Sequence, residues 1–129
     1  MSKYQTPLSR ARGLGAAGHG VGQWISERIS AMALVPLVLW AVYAGLHLAA
    51  ADYQGAVAWT QRPLNAVLLA LLLGVSFQHM HAGLRVVVED YIEKPVTRAA
   101  LLVLNLFVCV LGGALAVFSI LKVALGGAW

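Results

Sequence analysis

Apolar positions in this chain come in long unbroken blocks, separated by short polar segments. Three stretches hold no Asp, Glu, Lys or Arg: residues 29–50, 63–84 and 99–121, of 22, 22 and 23 residues. Each reaches the roughly 20 residues needed to cross a hydrocarbon core of about 30 Å. A backbone in lipid must satisfy its hydrogen bonds internally, which leaves helices or a closed barrel. Barrel strands alternate apolar and polar side chains, and these blocks do not. The pattern therefore predicts an all-α integral membrane protein with three transmembrane helices, at about 29–50, 63–93 and 97–123. Residues 1–28 form a basic N-terminal arm, and 29–129 a single three-helix transmembrane domain.

Local chemistry agrees with these limits. Arg62-Pro63 puts a proline in the first turn of the second helix, and Lys94-Pro95 closes that helix and opens the third. Both connections are predicted to be short. Trp24, Trp59 and Trp129 fall near the ends of spans, where interfacial aromatics belong. Pro36, inside the first span, is expected to bend it and free a carbonyl. Gly112, Gly113 and Ala116 predict a close helix contact in the third.

Composition strengthens the membrane reading. The chain has 129 residues, 60% of them hydrophobic and 11% charged, with a mean hydropathy of +0.79. A water-soluble domain of this size does not cover so much apolar side chain with so little charge. The net charge of +4 comes from the arm and the loops, so it reports topology and lipid headgroup contact, with no nucleic-acid partner. Lys3, Arg10, Arg12 and Arg28 in the arm, with Arg85, Lys94 and Arg98 around the second connection, stand against Arg62 and Lys122 on the other side. The positive-inside rule then puts the N-terminus and second connection inside and the C-terminus outside. The arm lacks the apolar core of a secretory signal. A cytoplasmic arm of a bacterial inner-membrane protein is expected, ahead of a mitochondrial presequence. The single cysteine, Cys109, rules out an internal disulfide and reads as a small buried hydrophobe.

Chemistry concentrates in "SFQHMHAGLRVVVEDYIEKP", residues 76–95. A helical residue advances about 100°, so His79 and Asp90, eleven residues apart, face the same way, with Ser76, Gly83 and Val86. His81 points about 200° away from His79. The rise puts His79 about 16 Å above Asp90, near the middle of the core if Asp90 marks the inner boundary. A histidine at that depth needs partners for its ring nitrogens, either hydrogen bonds to another helix or a metal. Gly83, one turn below on the same face, leaves room for a flat ring, and neutral imidazole is a common axial ligand of heme iron. His47, about 28 Å above Arg28 and so some 12 Å above His79, is too far to share an iron; it reads as hydrogen-bonded or interfacial, and His19 as solvated. A second axial ligand would come from another chain. Glu89, Asp90 and Tyr91 fit a helix end entering the headgroups. Asp90 and Tyr91 also fit a contact with a quinone, whose carbonyl a tyrosine hydroxyl can hydrogen-bond from the apolar boundary. Arg85 can pair with Glu89 one turn on, or, like Arg28, face an anionic cofactor group.

The spacing His-x3-Gly-x6-Asp-Tyr in "HMHAGLRVVVEDY", carried by His79, Gly83, Asp90 and Tyr91, resembles the signature of the small hydrophobic membrane anchors of succinate dehydrogenase, respiratory complex II. The segment "SERISAMALVPLVLW", residues 26–40, is similar to the arginine-initiated first helix of these anchors, and the three-helix layout matches. The resemblance implies half of a heterodimeric helix-bundle anchor in the respiratory electron-transport chain and the tricarboxylic acid cycle. His79 would be one axial ligand of a heme b shared with a second membrane anchor subunit. Tyr91 and Asp90 would contact ubiquinone, the substrate. Arg28, His81 and Arg85 become candidates for the heme-propionate or quinone vicinity, and Gly83 and Ser76 for packing against the heme. FAD and iron–sulfur clusters would belong to two further partners, a flavoprotein subunit and an iron–sulfur subunit, both docked on the anchor, since this chain has no dinucleotide-binding glycine pattern and only one cysteine. It would have no activity alone. Two other readings stay open: a b-type cytochrome or quinone-binding anchor of fumarate reductase or another membrane dehydrogenase, and a non-redox assembly or transport component whose histidines tie helices together.

Overall fold

The computed structural model describes residues 6–13 and 20–126; Lys3, His19 and Trp129 lie outside the described residues. The described residues are helical throughout, as five elements: α1 (Pro7–Ala11), α2 (Gly20–Ala49), α3 (Tyr53–Thr60), α4 (Pro63–Tyr91) and α5 (Pro95–Ala124). Three are long and apolar enough to cross a membrane, over Val21–Ala49, Pro63–Tyr91 and Pro95–Ala124. At about 1.5 Å per residue each is some 43–45 Å long. That exceeds the hydrocarbon thickness, so the helix ends reach the headgroup layers.

Helix limits follow from the punctuation in the sequence. Pro63 and Pro95 occupy the first turns of α4 and α5, behind the extended residues Arg62 and Lys94. There a missing N–H costs nothing, because first-turn donors have no intrahelical partner. α4 ends where Ile92 turns extended before Pro95, and the Arg98 side chain donates to the Ile92 carbonyl at 2.9 Å. α2 runs through Pro36 and starts at Gly20, nine residues before the charge-free stretch. Charge marks where lipid ends, but Glu27 and Arg28 are good helix formers and do not stop the helix.

The first connection, expected to be short, contains a helix of its own, α3. Asp52 caps it, its carboxylate accepting from Gly55 N–H at 2.8 Å. An aspartate N-cap is the ordinary start signal for a helix. α3 seats Trp59, 8% exposed, against Trp40, with ring centroids 5.9 Å apart, and against His47 at 6.4 Å. Trp59 is thus buried inside the bundle, where its position at the end of a span suggests an interfacial anchor. Asn65 fixes the corner by donating to the Trp59 carbonyl at 2.8 Å.

α4 is the middle helix, packed most closely on α5 and next on α2. The α4–α5 contact is tight because Phe77 lies over Gly112 and Gly113. A Cβ at Gly112 would come within 2.7 Å of the Phe77 ring, and one at Gly113 within 3.2 Å of its Cβ. Glycines let two helices approach where no hydrophobic effect drives them together in lipid. Little else is fully covered: Leu39, Leu46, Phe107, Leu115 and Phe118 are each more than half exposed. Among the described residues, the chain alone has an apolar outside and a thin inside.

Candidate functional site

His79 and His81 leave α4 on different sides, as a separation of about 200° requires. His79 meets α2: its Nδ1 is 2.9 Å from the Ser30 hydroxyl oxygen, and Ser30 also donates to the Glu27 carbonyl at 2.9 Å. One turn earlier on α2, Ser26 accepts from Gln78 at 3.4 Å. The two serines stand four residues apart and so share one face of α2. His79 also lines an apolar groove with Ala31, Leu34, Val35, Val38 and Leu39 of α2. The interhelical hydrogen bond expected for a membrane histidine thus exists, and it engages one ring nitrogen.

His81 meets α5. Asn105, 8% exposed, donates from its side-chain nitrogen to the His81 carbonyl at 3.0 Å and to His81 Nδ1 at 3.1 Å. Cys109, buried one turn along, donates to the Asn105 oxygen at 3.2 Å. The amide orientation is over-determined: a carbonyl only accepts, so the NH2 group faces His81, and the remaining oxygen takes the thiol proton. Since His81 Nδ1 accepts, its Nε2 carries the ring proton. In that tautomer His81 has no lone pair to offer a metal. Sequence reasoning does not find this polar rung between α4 and α5. Asn105, a lone amide in an apolar span, is the available signal, because such a group needs a partner.

Contact between Ser30 and His79 also corrects the heights inferred from spacing. Arg28 lies only about 3 Å along α2 from Ser30, and hence near the level of His79 rather than at the level of Asp90. α2 continues below Arg28 to Gly20, where Gly22, Ile25 and Ser26 border a groove with Val75 and Gln78 of α4. His79 itself lies about 18 Å from the Tyr91 end of α4 and about 24 Å from its Pro63 end, near the middle of that helix. His47 is about 25 Å above Ser30, not 12 Å above His79, which strengthens its exclusion as a partner for one iron.

α4 is unbroken from Ser76 to Tyr91, so the shared face of His79, Gly83 and Asp90 is retained. Gly83 has no packing reason within this chain: a Cβ built there meets nothing within 4 Å. Half-buried Ser76 is on the same helix. Tyr91 is 79% exposed at the end of α4 and lines a shallow cleft with Ile92, Glu93, Lys94 and Thr97; Asp90 is exposed beside it. Arg85 is engaged by Glu89 in an ion pair of 2.7 Å, both partly exposed. The Arg28 guanidinium lies over the Trp24 ring, 5.6 Å from its centroid, with Trp24 itself exposed. Among the described residues no three His, Cys, Asp or Glu side chains converge into a metal cluster. A metal at His79 would take its remaining ligands from a cofactor and from another chain.

A family model described as "Succinate dehydrogenase/Fumarate reductase transmembrane subunit" matches residues 2–115. The chain belongs to that family. This succinate dehydrogenase/fumarate reductase transmembrane subunit has relatives named "Succinate dehydrogenase hydrophobic membrane anchor subunit". One from Rickettsia bellii is 30% identical over 100 residues, covering 78% of this chain and 80% of the relative. One from Rickettsia conorii is 27% identical over 108 residues, covering 83% and 86%, and one from Paracoccus denitrificans is 29% identical over 130 residues, covering 96% and 95%. No solved structure matches the chain. All-helical construction and three apolar spans fit a membrane subunit of this family, and these relatives are bacterial.

Proposed function

We propose that this transmembrane subunit anchors a succinate dehydrogenase in the bacterial inner membrane, N-terminus inside, and supplies half of a heme b site and part of a quinone-reduction site. The observation that carries the reading is His79: one imidazole near the middle of α4, tied through Nδ1 and bordering an apolar groove. The groove beside His79 suits a flat apolar macrocycle, and Gly83, one turn further along α4, leaves its own face open. When bound, heme supplies a one-electron carrier. The chain's own part would be to hold the heme iron through His79, with the second anchor subunit supplying a further ligand.

Below that face, Tyr91 and Asp90 stand where a quinone headgroup can meet the aqueous boundary. Quinone reduction consumes two electrons and two protons. The Tyr91 hydroxyl donates a hydrogen bond to one quinone carbonyl, stabilising the negative charge that builds on that oxygen. Asp90 orients that contact and can carry a proton from water. Arg28, within about one turn of the His79 level, would be the cation available to heme propionates; Arg85 is engaged by Glu89. Electrons arrive from the flavoprotein and iron–sulfur subunits, docked on the inner ends of the helices.

The test is purification of the whole complex through a tag on this chain. The reading expects co-purifying flavoprotein, iron–sulfur and second anchor subunits, a b-type heme spectrum, and succinate-dependent reduction of a quinone. A complex that reduces quinone with no b-type signal would remove the heme half of the reading. The absence of the dehydrogenase partners would remove all of it.

A further inference from the structure

Ser30 does more than join α2 to α4. It is 5% exposed, and its hydroxyl has one proton, which goes to the Glu27 carbonyl one turn back at 2.9 Å. Serine in a helix readily makes this bond to its own preceding turn. Once it does, the oxygen has only lone pairs to offer. The 2.9 Å contact with His79 Nδ1 must then be donated by the ring, so Nδ1 carries the proton and Nε2 the lone pair.

We propose that Ser30 is a positioning residue for the heme: by accepting from Nδ1–H it fixes the tautomer and ring plane of His79 that present Nε2 to iron. The proposal rests on the heme reading above and adds to it the residue that makes His79, and not His81, competent to ligate. His81 is held in the opposite sense by Asn105, whose NH2 occupies Nδ1 as a donor. A metal-bound histidine is generally oriented by a hydrogen bond from its other ring nitrogen, which also makes the imidazole a more basic ligand. A more basic ligand stabilises ferric over ferrous heme, so the Ser30 contact lowers the heme potential.

The experiment compares Ser30→Ala, Ser30→Thr and Ser30→Cys with the unaltered protein, each as the complete purified complex. Heme b is followed by potentiometric titration and low-temperature EPR, and dye-linked succinate oxidation reports assembly. Ser30→Ala is expected to shift the heme potential upward, alter the EPR signature and lower the heme-to-flavin ratio. Ser30→Thr, which keeps the hydroxyl, should retain the native values. Ser30→Cys, nearly the same size but a weaker acceptor, should fall between them. One shared potential and one EPR signature across all four proteins would overturn the proposal. If Ser30→Ala fails to assemble, the Cys and Thr variants decide by the same criterion. An unaltered complex without heme b would defeat the heme reading and this proposal together, whereas native heme with unmoved variants would defeat only the role of Ser30.

Discussion

The two sides of α4 set a close helix interface beside a looser one. Toward α5, Phe77 packs over Gly112 and Gly113, and Asn105, itself held by Cys109, engages both the carbonyl and Nδ1 of His81. That side is tied by a connected polar rung within the chain. Toward α2, the packing is looser: Ser30 reaches one nitrogen of His79, and Gly83 faces open space. Glycines illustrate the contrast well. Gly112 is explained by a neighbour at 2.7 Å, whereas nothing in the chain explains Gly83. A side left incomplete in lipid, where unpaired polar groups are costly, points to something the chain alone does not contain.

The comparison can be broken by substitution. Gly112→Leu should have the largest effect on stability, because the Phe77 ring occupies the space its side chain would need. A loss of about 1–3 kcal/mol is expected, read as a lower thermal unfolding midpoint of the purified complex. Gly83→Leu, the matching change on the other side, should leave that midpoint nearly unchanged while lowering the heme-to-flavin ratio. Equal destabilisation by both would erase the distinction.

Asn105→Leu should cost about 0.6–2 kcal/mol, the range for hydrogen bonds between membrane helices, with the heme spectrum preserved. Loss of heme there would mean that the α5 side also serves the cofactor. Tyr91→Phe should leave folding untouched and slow succinate-to-quinone turnover by up to about tenfold, the worth of one hydrogen bond. Dye-linked succinate oxidation should hold. Arg85→Gln is the smallest: the exposed pair with Glu89 contributes about 0.3–0.5 kcal/mol, and an unfolding midpoint within error of the native one is expected.

Much of this is legible in the sequence, and the reasons differ by residue. The three spans follow from charge-free runs, and their junctions from Pro63 and Pro95, because lipid and proline each impose one local rule. The opposed directions of His79 and His81 follow from helix geometry, and the close contact at Gly112-Gly113 from residue size. What spacing does not supply is partnership across helices. Ser30 and Asn105 look like ordinary small polar residues until the fold sets them against imidazoles 49 and 24 positions away. Relative height fails for a similar reason. Arg28 looks like a marker of the membrane boundary, but α2 continues for two turns beneath it. Charge locates water only approximately, since long arginine side chains reach toward the surface from within the core. α3 escapes a reading by hydropathy because its eight residues are too short to stand out against the flanking spans, although Asp52 marks its start.

The central claim is that α4 keeps His79 for a cofactor and uses His81 for its own packing. The most direct measurement is the b-type heme absorbance of the complete complex carrying His79→Ala, set beside that of the complex carrying His81→Ala. The account predicts that the first loses the native heme spectrum and the second retains it. Native heme in the His79→Ala complex, or its loss in the His81→Ala complex alone, would contradict the claim.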